Sequence, residues 1–334
     1  MAYFRGIGHF CPTILYIYMK NNNKKYNRKR ENNNGKRIRG KKEVDRGRIY
    51  CKKPPKIITT AQPHILEGVY ILKSNKDLLA TKNLIKGESI YGEEIITIEE
   101  RKENKENKEN NEKKDINDNS DSDSSSDICP IIVNIQNKVE YRVWDTFYSK
   151  LGASIENGIH NIFMKPGSKV LYLGAGNDSY STLSHISDLV GEKGTVYGVE
   201  ISEIKGLDLK NMAKKRENII PIINDAKRPY HYKNLINDFV DCIYADISSP
   251  ELANIISINA GFFLKNKGGF ISVINDDCNS SNIKSQISKF DEQIKLLREY
   301  NLYVKEFISL ESFSRGYAVV SGIYKPFREV IEED

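Results

Sequence analysis

The chain has 334 residues, of which 39% are apolar, 10% aromatic and 29% charged, with a formal net charge of +6. That length accommodates two or three domains and at least one sizeable core. Five cysteines, scattered as Cys11, Cys51, Cys129, Cys242 and Cys278 without paired metal-ligand spacing, argue against a disulfide framework and against a metal site, and fit a reducing compartment.

Residues 1–60 carry 17 Lys/Arg against 3 Asp/Glu, a net of +14 that leaves the rest of the chain at −8. The basic character therefore belongs to this arm. Rich in Asn, Lys and Arg and poor in aliphatics, residues 1–62 cannot offset their ordering entropy by burial and read as a disordered basic arm. Such an arm attracts polyanions by counterion release, which makes nucleic acid the first partner to consider and an anionic membrane the second. The clusters "NRKR" and "GKRIRGKK" fit nuclear or nucleic-acid-binding patches. "FCPTILYIYM" near the N-terminus is too short to span a bilayer and reads either as the core of a leader or as part of the arm.

Over 63–145, "EGVYILKS", "DLLATKNL" and "ESIYGEEIITI" are β-branched or aromatic runs divided by Asn, Lys-Gly and Gly, and predict a small antiparallel β domain. A charged, serine-rich insert at 100–128 with no apolar period interrupts it and reads as a disordered loop. "IIVNIQNKVEYRVWD" supplies the returning strands. Over 146–328 the period changes. "KVLYLGA", "GTVYGVEI", "IIPIIND", "VDCIYADI" and "GGFISVIND" have strand length and alternate with the helical segments "TLSHISDLV", "LDLKNMAKKRE", "SPELANIISINAGFFLK" and "IKSQISKFDEQIKLLREY". That alternation predicts an α/β domain with a parallel sheet covered on both faces, closed by an antiparallel pair in "YVKEFISLESFSRGYAVVSGIYKP". An acidic tail follows at 329–334.

In an open parallel sheet, ligands bind beyond the carboxyl ends of the strands at the topological switch point. The first strand ends at Gly174, Ala175 and Gly176, the second at Glu200, the third at Asp225 and Ala226, and the fourth at Asp246. A carboxylate after the second strand can accept both hydroxyls of a ribose, one after the third an adenine amino group, and one after the fourth faces a reacting end. Each acid has the alternative role of a helix N-cap. A dinucleotide-binding enzyme shares the glycine turn and the first acid, although "GAGNDS" lacks the third glycine of that motif. His185 and Cys242 read as packed residues, Trp144 as core between the two domains, and "NMAKKRENI" as a solvated helix end or an RNA-facing patch.

"PHILEGVYILKSNKDLLATKNLIKGESIYGEE", "EYRVWDTFYSKLGASI", "MKPGSKVLYLGA", "LSHISDLVGEKGTVYGVE", "NMAKKRENIIPIINDAKRP" and "FLKNKGGF" together resemble the fibrillarin family over Pro63–Pro326, without the acidic insert. The resemblance implies a Rossmann-like S-adenosylmethionine-dependent methyltransferase domain preceded by a small β domain. It implies methylation of ribose 2′-hydroxyls in rRNA within a nucleolar box C/D ribonucleoprotein, together with a guide RNA, scaffold proteins and RNA-binding proteins, and with no membrane. Carried over residue by residue, it assigns cofactor contact to Gly174, Ala175, Gly176, Ser181, Thr182, Glu200, Ile201, Asp225, Ala226, Asp246, Ile247, Ser248 and Ser249, and catalysis to Asp246 and Lys150. Two departures stand out. The first loop has two extra residues, and Ser179 and Tyr180 stand in effect where the family has glycine. The second family lysine, expected after "FISV", is absent from Ile274, Asn275, Asp276 and Asp277. A catalytically degenerate RNA-binding subunit is therefore the alternative reading.

Overall fold

The computed structural model describes residues 60–74, 76–100, 137–176, 180–275 and 283–326. The basic arm, the acidic insert, the loop residues Asn177–Ser179, the Asp276–Asp277 pair with Cys278, and the acidic tail lie outside them. Two sheets are formed. The smaller comprises β1 (Thr60–Pro63), β2 (Val69–Lys73), β3 (Leu78–Lys82), β4 (Ile95–Glu100) and β5 (Asn137–Val143) in the order β1-β2-β3-β5-β4, and its pairings are antiparallel. It begins three residues earlier than the sequence boundary at Pro63, because Thr60 pairs with Lys73 and Ala61 with Leu72.

The larger sheet follows α1 (Lys150–Glu156) and alternates with helices: β6 (Lys169–Leu173), α2 (Tyr180–Val190), β7 (Thr195–Glu200), α3 (Glu203–Lys215), β8 (Ile219–Ile223), β9 (Val240–Ala245), α4 (Leu252–Phe263), β10 (Leu264–Asn275), α5 (Ile283–Glu299), β11 (Leu302–Ser309) and β12 (Tyr317–Tyr324). Its order is β11-β12-β10-β9-β6-β7-β8. The five strands from β10 to β8 pair in parallel, whereas β12 is antiparallel to both β10 and β11. After β8 the chain crosses back over β6 to form β9, so β6 and β9 flank the switch point.

Side chains alternate across this sheet as the pleat requires. Val170, Tyr172, Val196, Tyr244 and Ile271 face a core shared with α1, α2, α3 and residues Leu66, Val69 and Trp144 beside or within the small sheet. Leu171, Leu173, Val199, Ile243, Phe270 and Ile274 face the core under α4 and α5. Strands apolar on both faces are what a covered parallel sheet demands.

A buried polar seam fixes the small sheet to α2. Arg142 donates to Glu93 at 2.5 Å and to Asp188 at 2.6 Å, while Arg216 donates to the other oxygen of Asp188 at 2.5 Å. Thr81 Oγ1 lies 2.7 Å from His185 Nδ1, and Tyr91 Oη lies 2.7 Å from His185 Nε2. The imidazole stacks on Trp144 with centroids 4.7 Å apart. Burial, followed by Arg142 and Arg216, pushes its pKa well below the usual value. Two guanidiniums face two carboxylates, so a neutral imidazole keeps the seam balanced. Burial opposes ionisation of Glu93, but Arg142 and the backbone N–H groups of Ile90 and Tyr91 outweigh it and hold the carboxyl at about 2. His185 and Trp144 are thus interdomain packing residues, as their sequence context indicates.

Candidate active site

The strand-end residues form a row. Because the sheet runs β9-β6-β7-β8, its carboxyl edge presents in order Asp246, the Gly174–Gly176 loop, Glu200 and Asp225. Gly174 has φ +84°, and a Cβ there would lie 2.5 Å from the Asp246 carbonyl oxygen. Only glycine lets the loop fold so closely against the end of β9. The N–H groups of Gly174 and Ala175 both donate to Val199 O at 3.0 Å, tying the loop to β7. A Cβ on Gly176 would sit 2.5 Å from Glu200 Oε2, so the Glu200 carboxylate lies directly against the loop backbone. Its Oε1 accepts from Ser202 N at 2.8 Å, which fixes the carboxylate in place.

Asp225 Oδ1 accepts from Lys227 N at 2.9 Å. Ala226 beside it is buried, and its carbonyl accepts from Asn259 Nδ2 at 2.8 Å, so α4 holds this loop. Ile201 is 68% exposed and offers an apolar face beyond Glu200. Beyond Asp246, Ile247 is half-buried and Ser248 exposed, whereas Ser249 Oγ accepts from Glu251 N at 3.2 Å ahead of α4.

At the reacting end, Lys150 Nζ donates to Asp246 Oδ1 at 2.7 Å, which brings together the two residues expected to carry catalysis. Lys150 opens α1, whose N-cap is Ser149, accepting from Gly152 N at 3.1 Å. The Lys150 ammonium also stands 4.8 Å from the ring centroid of Tyr317 on β12. Sequence reading missed Tyr317. Nothing in its local pattern marks it, since the contact depends on β12 pairing with β10, where Asn275 faces Tyr317.

Ser181 and Thr182 differ from expectation. Their side chains turn inward from α2 and are 5% and 2% exposed. Thr182 Oγ1 lies 2.8 Å from Ser149 Oγ, so it braces the N-cap of α1 rather than presenting its hydroxyl to the cleft. Tyr180 also differs: it is the first helical residue of α2 and is not among the positive-φ residues. Its hydroxyl donates to Lys205 O at 3.0 Å, carrying the ring across to α3. Burial, then the Asp208 and Glu200 carboxylates, pushes the Tyr180 phenol up to about 12. Ile274, the first of the four residues after "FISV" that lack the second lysine, is 1% exposed and belongs to the core.

A concavity of about 690 Å³ lies at the opposite, amino-terminal edge of the sheet, lined by Met164, Lys165, Asp241, Lys265 and Lys267 among others, and contains none of these strand-end acids. The chemistry-bearing groups converge instead on the switch point. A glycine loop pressed against a fixed carboxylate, a second acid one strand away and an ammonium–carboxylate pair at the far end suit a nucleoside-like ligand.

The fibrillarin family model matches residues 61–326. Over 265 residues the chain is 40% identical to the rRNA 2′-O-methyltransferase fibrillarin of Rattus norvegicus, a match covering 79% of this chain and 69% of that protein. Aeropyrum pernix fibrillarin, solved in complex with natively bound S-adenosyl-L-methionine, is similar with a TM-score of 0.61 at 30% identity, over 79% of this chain and 98% of the other. A chain of a fibrillarin/Nop5p complex is similar with a TM-score of 0.50 at 32% identity, over 56% of this chain and 85% of that chain. Sequence likeness of this extent, joined to the two-sheet architecture and the acids ranged along one edge, assigns the protein: the chain belongs to the fibrillarin family.

Proposed function

We infer that this chain is an S-adenosylmethionine-dependent RNA ribose 2′-O-methyltransferase acting on rRNA within a box C/D ribonucleoprotein. One observation carries that reading: Asp246, the glycine loop, Glu200 and Asp225 line the switch-point edge, with Lys150 drawn onto Asp246.

The residues fit the cofactor. Gly174, Ala175 and Gly176 allow a ligand to approach the backbone, Glu200 suits the ribose hydroxyls, Ile201 and Ala226 the adenine faces, and Asp225 its amino group. Asp246, Ile247, Ser248 and Ser249 border the reacting end, and Ser181 and Thr182 support that end from inside α2. S-adenosylmethionine, when bound, supplies a methyl group on a sulfonium. Lys150 would direct an ammonium N–H at the 2′-oxygen, and Oδ2 of Asp246, the oxygen not held by Lys150, would take the hydroxyl proton. Orientation of this kind is worth effective molarities of roughly 10⁵ M or more, and general-base help about 10²–10⁴-fold.

Family membership supports partnership with scaffold and RNA-binding proteins of the particle and with a guide RNA, as well as nuclear, nucleolar placement. The basic arm supports RNA contact. No helix among the described residues is long and apolar enough to cross a membrane. The absence of a lysine from Ile274 to Asp277 favours a second reading, a structural subunit without turnover.

Isothermal titration with S-adenosylmethionine, followed by transfer of labelled methyl to target RNA within the assembled particle, separates the two. The enzyme binds the cofactor and protects one phosphodiester from alkali, and Lys150→Ala lowers turnover about 10²–10⁴-fold with cofactor affinity retained. Binding without transfer sinks the catalytic reading, and absence of binding sinks both cofactor site and chemistry.

A further inference from the structure

The loop entering α1 places two large aromatic side chains in solvent immediately beside the reacting pair. Phe147 and Tyr148 are each 67% exposed and directly precede Ser149 and Lys150 in the chain. The loop is held in shape: Phe147 N donates to Asp145 Oδ1 at 2.9 Å and Tyr148 N to Asp145 O at 3.2 Å. Phe147 is backed by Phe313, with centroids 5.3 Å apart and planes tilted by 56°, and Tyr148 lies 6.2 Å from Tyr91. Phe313 comes from the same β11–β12 connection that leads into Tyr317, which itself faces Lys150. Arg315, in that connection, is exposed.

Exposed rings of this size lose apolar burial, and a turn that holds them in place restricts their escape into the core. Sequence-reading proteins splay single-stranded bases onto exposed aromatic faces, and stacking tolerates any base because each has a π-face. A ribose hydroxyl can reach Lys150 and Asp246 only if its nucleotide is held at this rim.

We propose that Phe147, buttressed by Phe313, is the platform on which a base of the substrate RNA at or next to the methylated nucleotide stacks, with Tyr148 as its neighbouring face. This rests on the methyltransferase reading. Phe147 thereby binds substrate and acts on RNA affinity without touching the cofactor cradle at Glu200 and Asp225. Arg315 lies where it can meet the adjoining phosphate.

The test uses the full chain and an RNA carrying 2-aminopurine at the target position and, separately, at each neighbouring position. In the unaltered protein one of these positions changes fluorescence on binding. Phe147→Ala abolishes that change and weakens RNA binding and raises KM for RNA about 5- to 150-fold, the range that stacking of one base supports. Phe147→Trp restores both. Calorimetric affinity for S-adenosylmethionine and the circular dichroism melt stay unchanged in all variants, as the exposure of Phe147 requires. RNA affinity and fluorescence that are indifferent to Phe147→Ala overturn the proposal, and so does a variant whose defect is loss of a scaffold protein with RNA affinity intact. A protein that stacks RNA in this way but transfers no methyl group keeps the platform and removes the enzymatic reading.

Discussion

Tyr317 confines an ammonium that would otherwise have one anchor. Lys150 is drawn to Asp246 at 2.7 Å, and the Tyr317 ring face at 4.8 Å takes up part of its remaining charge without removing an N–H donor from it. A cation–π contact of this partly buried kind contributes about 0.5–2 kcal/mol. Tyr317→Leu is therefore expected to lower kcat roughly 2- to 30-fold, while Tyr317→Phe retains it. Cofactor affinity measured by calorimetry should not move in either variant, because the ring faces Lys150 and not the Glu200 cradle. A loss shared equally by Tyr317→Phe would show that the hydroxyl, rather than the ring face, carries the effect. The first departure from the family pattern has a similar local meaning. Tyr180 ties the start of α2 to α3 through Lys205 O, and the Asp208 and Glu200 carboxylates act on its phenol.

At the scale of elements, α1 is only seven residues long and relies on its cap to aim Lys150. Ser149 accepts from Gly152 N and meets the Thr182 hydroxyl, so α2 holds the first turn of α1. Ser149→Ala should cost about 0.5–2 kcal/mol of stability, read from the urea midpoint. It should reduce kcat more than it affects KM for either substrate, since the lysine loses its aim and the cleft keeps its shape. A kcat unchanged at the same stability loss would detach α1 from catalysis. The elements themselves were largely legible in the sequence. Apolar runs of strand length ending in Gly-Ala-Gly, Glu200, Asp225 and Asp246 disclose both the parallel sheet and the edge on which these residues meet, because a strand buried on two faces has a pattern that depends only on neighbours in the chain. What was not legible depends on partners far apart in sequence. Thr182 reads as a free hydroxyl until Ser149 is placed over it. Tyr317 had no local signal at all.

Across the whole molecule the seam between the two sheets makes stability depend on pH. His185 is held neutral in the fold, with its pKa far below the usual value of 6.5, while in the unfolded chain it takes a proton near 6.5. Below that pH the unfolded state binds more protons, so stability falls as pH drops, by up to about 1.4 kcal/mol per pH unit. Glu93 has the same sign over a lower window. Its carboxyl sits at about 2 against a usual 4.5, so its contribution is present above 4.5 and is lost as pH falls toward 2. Urea midpoints recorded from pH 7.5 to 5.5 should decline for the unaltered chain. The decline should flatten in His185→Asn, whatever that change does to stability at pH 7.5. An equal slope in both would remove His185 as the source.

The position of Lys150 also bears on how such an enzyme can be divided. Its ammonium is carried by the stretch that leaves the small sheet, whereas the acids of the cofactor cleft belong to the larger sheet, and the sealed contact at Arg142, Asp188 and His185 sets one against the other. The protein is thus not a catalytic module with an ornamental extension. A larger sheet copied, grafted or inherited without its companion keeps Thr182 and Tyr317 around Lys150 but loses the Arg142–Asp188 and Thr81–His185 contacts that fix α2, so recombination of the two halves loosens the brace behind the lysine.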